Sequence, residues 1–355
     1  MAKLTEICDF QGGSQPPKEE WSFEAKDGYI RMLQIRDFTQ GEKVTPEYIK
    51  ISKNTKRCNA EDILIARYGA SLGKILTGLA GAYNVAIMRT IPDETKLRKR
   101  YLYYYLKSPY FQKSILNVGS RAAQAGFNKE DLSKLNIPCP DFKKQDDVVE
   151  RLTKIEVVIT ARQQELQKLD ELIKARFVEM FGDPVSNSFG LPVKKLSDLG
   201  SLDRGRSQHR PRNAPELLGG PYPLIQTGEV SAAGLYITEY HNTYSEIGLK
   251  QSKMWKAGTL CITIAANIAQ TAIMTFDACF PDSVVGFVPY DEVNALYIHY
   301  WFSFFQKILE DQAPQVAQKN INLKILSNLN VVVPEKKTLK LFEDFVAQVD
   351  KSKVA

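Results

Sequence analysis

Residues able to do chemistry are sparse in this chain, and the groups that stand out suit an anion or a base edge better than a reaction. Residues 203–212 read DRGRSQHRPR, which sets Arg204, Arg206, Arg210 and Arg212 around His209 in a stretch rich in Gly, Ser and Pro. Four guanidinium groups in so short and loose a span are costly unless they are solvated or face an anion. Arg is also the side chain that meets phosphate, or guanine O6 and N7, with two parallel bonds. In the first half the basic groups are more dispersed: Arg31, Arg36, Lys56, Arg57, Arg67, Lys74 and Arg121. Arg67, Tyr68 and Gly69 directly follow a strand-like run, so they belong to a strand-end loop able to enter a groove. Gln124, Gln270, Gln318, Asn267 and Asn320 either read adenine through paired amide bonds or cap turns. For each of these the bland alternative is a solvated surface group.

Catalysis finds little support. GASLGK at residues 69–74 resembles a P-loop, but it is one residue short and Ile75 stands where a Ser or Thr would hold Mg²⁺. The histidines, His209, His241 and His299, are too dispersed for a triad or a metal site. Glu94-x-Lys96 and Glu335-x-Lys337 sit in charged stretches without a suitably spaced upstream acid, and read as solvated turns. No GxSxG, HExxH, paired CxxC or Gly-rich cofactor loop is present. The five cysteines, Cys8, Cys58, Cys139, Cys261 and Cys279, are scattered and read as reduced thiols of a cytoplasmic protein. The opening MAKLTEICDF has no apolar leader stretch, and no run approaches the ~18 apolar residues of a membrane span. A net charge of +6 and a pI near 8.8 lean toward a polyanionic partner.

These groups must be positioned by the elements around one long central stretch. From Gln145 to Pro184, Leu152, Ile159, Leu166, Ile173 and Met180 recur every seventh residue, with Val148, Ile155, Arg162, Leu169 and Arg176 as the second series. That is an a/d heptad pattern with two Arg interruptions, and it predicts a helix of roughly 55 Å lying on a partner helix. Gly182 and Pro184 end it. The expected boundaries are a first mixed domain at 1–142, the helix at 143–182, a second domain at 183–336 and a final helix at 337–355.

The two domains repeat one another. At an offset of about 194 residues, Asn128, Leu132, Ser133, Leu135, Asn136 and Pro140 fall on Asn322, Leu326, Ser327, Leu329, Asn330 and Pro334. Phe111-Gln112-Lys113 falls on Phe305-Gln306-Lys307, and nearer the starts Gln34 answers Gln226. So many agreements mark a tandem duplication of domain plus helix. In the second helix Phe342, Val346 and Val349 take the places of Val148, Leu152 and Ile155, but that helix is about three heptads shorter. Leu166, Leu169, Ile173 and Met180 are therefore expected to lack a full mate, and self-association is expected there.

These segments together resemble the specificity (S) subunit of type I restriction–modification systems. DILIARYGASLGKI (62–75) is similar to that family's strand-and-loop signature. NKEDLSKLNIPCP and NINLKILSNLNVVVP resemble the segments preceding each of its long helices, and KARFVEMFGDP (174–184) resembles the end of the central one. TIAANIAQ (263–270) replaces the Arg67–Gly73 loop in the second domain, which weakens the match there. The resemblance implies an α+β protein with two tandem mixed α/β target-recognition domains, a pseudo-two-fold repeat, and long coiled-coil-forming helices between them. It implies that each domain reads half of a bipartite double-stranded DNA target in the major groove. The helices would set the spacer and dock methyltransferase subunits and, where present, restriction subunits. The chain itself would be non-catalytic, with S-adenosylmethionine, ATP and Mg²⁺ held by those partners. The DNA-contacting set is then Arg31, Gln34, Arg67, Tyr68, Lys74, Arg121, Gln124, Arg204, Arg206, His209, Arg210, Arg212, Gln226, Gln270, Gln318 and Lys319. The helix-pairing and docking set is Leu152, Ile155, Ile159, Leu166, Leu169, Ile173, Phe177, Met180, Phe342, Val346 and Val349. The alternatives are a recognition fragment of a fused restriction/methyltransferase enzyme and a coiled-coil scaffold that binds only protein.

Overall fold

The computed structural model describes residues 1–119, 126–265, 268–312 and 321–354. Arg121, Gln124, Asn267, Gln318, Lys319 and Asn320 lie outside the described residues. The chain divides into two compact units, Met1–Ala161 and Arg162–Ala355.

Unit 1 opens with β1 (Ala2–Lys3), α1 (Leu4–Ile7), β2 (Cys8–Gly12), β3 (Trp21–Ser22), β4 (Tyr29–Leu33) and α2 (Ile35–Gln40). It continues through β5 (Glu47–Lys50), β6 (Arg57–Cys58), β7 (Leu64–Ala66), β8 (Ile75–Leu76), β9 (Gly81–Tyr83) and β10 (Ile87–Pro92). Next come α3 (Lys99–Lys107), α4 (Pro109–Gly119), α5 (Lys129–Leu132), β11 (Asn136–Ile137) and the long α6 (Phe142–Phe181). Its strands form sheets ordered β2-β10-β7-β8 and β3-β5-β4-β9-β6, with β1 paired to β11. Among the described residues of unit 1 only β4 and β9 run parallel.

Unit 2 repeats this order. It has β12 (Val193–Lys195), α7 (Leu196–Leu199), β13 (Gly200–Arg204), β14 (Leu218–Leu224), α8 (Thr227–Ala232), β15 (Tyr236–Ile237) and β16 (Asn242–Tyr244). Then follow α9 (Glu246–Lys250), β17 (Met254–Trp255), β18 (Leu260–Thr263), β19 (Thr271–Met274), β20 (Ala278–Cys279) and β21 (Val284–Pro289). It closes with α10 (Ala295–Gln312), α11 (Leu323–Ser327), β22 (Asn330–Val332) and α12 (Lys336–Val354). The sheets are β13-β21-β18-β19-β15 and β16-β14-β20-β17, and β12 pairs with β22. The parallel β14–β20 pair matches β4–β9. The repeat inferred from sequence is thus a repeat of topology, and the fold is two tandem mixed α/β units with a long helix between their strand regions.

The central strands of both units are short continuous apolar runs, β7 and β18, because both of their faces are covered. The helices after the sheets differ for a local reason. Pro109 pushes Ser108 into extended backbone, which separates α3 from α4. Ser303 stands in the place of Pro109, and α10 runs unbroken through it. Asn128 and Asn322 cap α5 and α11 through side chains that accept from Asp131 N at 3.0 Å and Ile325 N at 2.9 Å.

The helix α6 is where the sequence expectation needs correcting. Its heptads, its length and its stop at Gly182 (φ +77°) are as read, but its unpaired part lies elsewhere. Ile173 and Phe177 are fully buried, and Leu169 and Met180 pack against the same core. The helix α12 runs antiparallel along this part. The Phe342 ring lies 5.5 Å from Phe177 and 5.4 Å from Phe181, while Lys353 Nζ reaches Asp170 Oδ1 at 2.7 Å. The direction follows from the sheet, since β12, just after α6, pairs with β22, just before α12. A short helix launched there covers the end of α6 first.

The two Arg interruptions also have partners. Arg162 Nη2 donates to Lys353 O at 2.8 Å, satisfying a carbonyl of the last turn of α12, and Arg176 lies over the Phe345 ring. At the other end, Gln145 is fully buried and bonds Arg98 N and Lys96 O, and Glu156 receives Arg100, Lys107 and Tyr104. Between these covered ends Ile155, Val157, Val158 and Ile159 are half or more exposed.

Candidate nucleic-acid interface

In unit 1 the site is built where β4 runs into α2. Gln34 stands at the N-cap and donates its backbone N–H to Asp37 Oδ2 at 2.9 Å; Asp37 also receives Arg31 Nη2 at 2.8 Å. Arg31, expected at DNA, is thereby tied to a nearly buried carboxylate under the site. Beside it Glu47 on β5 receives Gln34 Nε2 and Arg36 Nη2, both on Oε2. Gln34, Arg36 and Glu47 line a cleft of about 470 Å³ with Lys18, Trp21 and Phe23. Trp21 is held there by its ring N–H, which donates to Pro16 O at 3.2 Å.

Unit 2 has a cleft of about 280 Å³ at the corresponding place, where β14 runs into α8. Gln226 stands at the N-cap and donates its backbone N–H to Glu229 Oε2 at 3.1 Å. Glu229 also faces His241 Nδ1 at 3.3 Å, so a helix acid paired with a nearby basic group supports both clefts. Asn242, Asn213, Arg212 and Ser207 line it. Ser207 is 5% exposed and its Oγ has no hydrogen-bond partner among the described residues. The side chains of Asn213 and Asn242 make no hydrogen bond with any described residue.

The arginine-rich loop forms one wall of this cleft. Arg204 Nε and Nη2 donate to Asp282 O at 2.9 and 2.6 Å. Arg212 Nη2 lies 2.6 Å from Asp282 Oδ1 and Arg210 Nη2 lies 3.6 Å from Oδ2. Two guanidinium groups on the Asp282 carboxylate, with Arg204 on its backbone carbonyl, leave a local excess of positive charge. Such exposed pairs contribute about 0–1 kcal/mol each to stability, so their effect is to hold the cations in place. Holding them in advance lowers the ordering cost of meeting a phosphate. Arg206 is exposed, and His209 Nε2 lies 3.6 Å from Glu216 Oε1.

The remaining expected residues lie apart from the clefts. Arg67 donates to Phe127 O at 3.3 Å and stacks over Tyr68, which is 39% exposed on the loop after β7. Lys74 is exposed at the far end of that loop. Gln270 sits in the β18–β19 hairpin, its N–H donated to Thr263 Oγ1 at 3.1 Å. Glu47, Asn242, Asn213, Ser207 and Trp21 escaped the sequence reading. Gln34 and Gln226 pair at one offset in the repeat, but Glu47 and Asn242 do not, so only strand register relates them. All five cysteines are free, and burial pushes Cys8 up to about 12 and Cys58 up to about 11, which keeps these thiols protonated and unreactive. Among the described residues no group of His, Cys, Asp and Glu could hold a metal ion, and no helix is long and apolar enough to cross a membrane.

A family model described as "Type I restriction modification DNA specificity domain" matches residues 1–171 and again residues 190–355. Of the solved structures, the S subunit of a type I restriction–modification system from M. genitalium shares the fold. Its TM-score is 0.51 at 14% identity, over 99% of this chain and 91% of that one. The HsdS subunit from Thermoanaerobacter tengcongensis gives a TM-score of 0.42 at 16% identity, over 99% and 89%. A chain from work on assembly and conformational transition of the type I R-M system gives 0.46 at 15%, over 99% and 90%.

Proposed function

Because this chain belongs to the family of type I restriction modification DNA specificity domains, with both halves matched, we propose that it is the DNA-specificity subunit of a type I restriction–modification complex. In this reading each unit reads one half of a bipartite duplex target in the major groove. The observation that carries it is the duplication itself: two units that share all but one strand each, each with a polar cleft at the same point of its fold and basic groups beside it. Two reading heads of one design with different polar linings suit a target made of two unlike half-sites.

The chain acts by binding, and the methylation chemistry belongs to partners carrying S-adenosylmethionine, with ATP and Mg²⁺ in restriction subunits. The exposed Ile155, Val157, Val158 and Ile159 offer α6 an apolar surface for a methyltransferase subunit or a second copy of the chain. The helix also sets the number of base pairs between half-sites, at ~3.4 Å of DNA per pair. Inserting one heptad into α6 should therefore lengthen the spacer of the methylated sites and leave both half-sites unchanged; an unaltered spacer removes the ruler.

The test of the whole reading is the methylated motif in DNA from cells expressing this chain with its methyltransferase partner. A bipartite motif is expected. Methylation without sequence dependence would sink the reading, and a chain that fails to prefer target over random duplex across salt concentrations would leave only a protein scaffold.

A further inference from the structure

The two clefts can be superposed residue by residue through strand register, and this identifies side chains that the sequence repeat does not. On β4, Met32 is paired with Glu47 of β5, and Gln34 follows two residues later. On β14, Leu224 is paired with Asn242 of β16, and Gln226 follows two residues later. Each unit therefore presents one polar residue from the strand antiparallel to β4 or β14 beside one N-cap glutamine.

The chemistry at this shared position differs. In unit 1 Glu47 uses Oε2 for Gln34 and Arg36, while its Oε1 accepts nothing from the described residues. In unit 2 the position carries an amide, with the amide of Asn213 beside it and the buried, unpartnered hydroxyl of Ser207 in the same cleft. A buried hydroxyl without a partner costs stability that a bound hydrogen-bonding group restores. A phosphate would fit neither lining well, because Glu47 repels it and the amides offer no charge. The cations instead stand on the walls, as Lys18 and Arg36 in unit 1 and Arg212 in unit 2. Cationic walls around a neutral or acidic hydrogen-bonding centre match a strand of DNA with its phosphates outside and a base edge between them.

We propose that Glu47 and Asn242 are equivalent specificity-determining residues, each reading one base of its own half-site; this rests on the DNA-specificity reading above. A carboxylate acceptor selects a base with an exocyclic amino group, cytosine or adenine, and a carboxamide selects adenine through N6 and N7. Unit 1 is thus assigned an amino-bearing base opposite Glu47, and unit 2 an adenine opposite Asn242.

The experiment selects bound sites from a randomised duplex library, using the full chain with its methyltransferase subunit, for wild type, Glu47→Gln and Asn242→Asp. Thermal unfolding confirms that each variant folds. Each variant should lose about ten-fold of its discrimination at one base position in one half-site, leaving the other half-site as in wild type. A folded variant that binds as tightly as wild type and selects the same motif at every position overturns the assignment for its unit. So does a change that falls in both half-sites at once. A wild-type chain that selects no motif at all overturns the DNA-specificity reading itself, and this assignment with it. The two failures are therefore distinguishable.

Discussion

Unit 1 and unit 2 share every strand of their paired sheets apart from β3 in the first and β15 in the second, yet they treat the helix between their strand regions differently. Unit 1 holds residues 142–156 with polar clamps: Gln145 fully buried against backbone carbonyls, and Glu156 receiving Arg100 at 2.7 Å and Lys107 at 2.9 Å. Unit 2 holds residues 162–181 with an aromatic cluster in which Phe177 touches Phe181, Tyr297, Phe304 and Phe342. The difference teaches that a duplicated scaffold tolerates unlike chemistry wherever backbone pairing is kept. The same lesson applies to the clefts, where a carboxylate and an amide occupy one position.

The contrast can be broken most sharply at the aromatic cluster. Phe177→Ala should destabilise unit 2 by about 3–5 kcal/mol, because a large buried ring leaves a cavity. Ile159→Ala, on the exposed part of the same helix, should stay within about 0.5 kcal/mol. Urea unfolding checks both, and equal losses would dissolve the distinction between covered and open parts of α6.

A second difference is titratable. His299 on α10 takes the place held by Tyr105 in unit 1, and burial pushes its pKa down to about 4, with Lys174 and Lys353 adding to the effect and Asp170 opposing it. Its Nδ1 lies 2.9 Å from Thr271 Oγ1. Below the ordinary value of 6.5 the unfolded chain binds a proton that the folded one does not. Stability should therefore fall as pH drops from 6.5 to about 4, by up to about 3 kcal/mol. His299→Gln should flatten that slope in a pH series of unfolding curves; an unchanged slope would place the titration elsewhere.

A smaller effect is expected at the arginine loop. Arg204→Ala with Arg206→Ala should weaken duplex binding about ten-fold at low salt and reduce the salt slope by up to about 2, with stability unchanged. Binding isotherms at several salt concentrations decide this, and an unaltered slope takes the loop out of the interface. The smallest and most symmetric effect is at the caps. Asn128→Ala and Asn322→Ala should each cost about 1 kcal/mol, since both side chains accept one N–H of a short helix. Costs that differ by several-fold would show that the two caps carry different loads.

Much of the fold was legible in the chain because its signals are local or periodic. The heptads of α6 and its stop at Gly182 follow from side-chain period and backbone sterics within a few residues. The site was legible in part. The run from Arg204 to Arg212 and the pair Gln34 and Gln226 were visible as types and as a repeat. Glu47 and Asn242 were not, because an isolated polar residue on a short strand carries no pattern until its cross-strand neighbour is known.

What the sequence alone determined is the duplicated architecture, its long helix and the absence of any recognisable catalytic motif, since these depend on composition, spacing and recurrence along one dimension. Only the tertiary structure decided which part of α6 is covered. The heptad seam runs on through both units, but the pairing of β12 with β22 launches α12 beside the end of α6, while Ile155, Val157, Val158 and Ile159 are exposed. It likewise decided that Asp282 gathers Arg210 and Arg212 on its carboxylate and Arg204 on its backbone carbonyl, because a residue about 70 positions away in sequence meets the loop only when β13 and β21 pair.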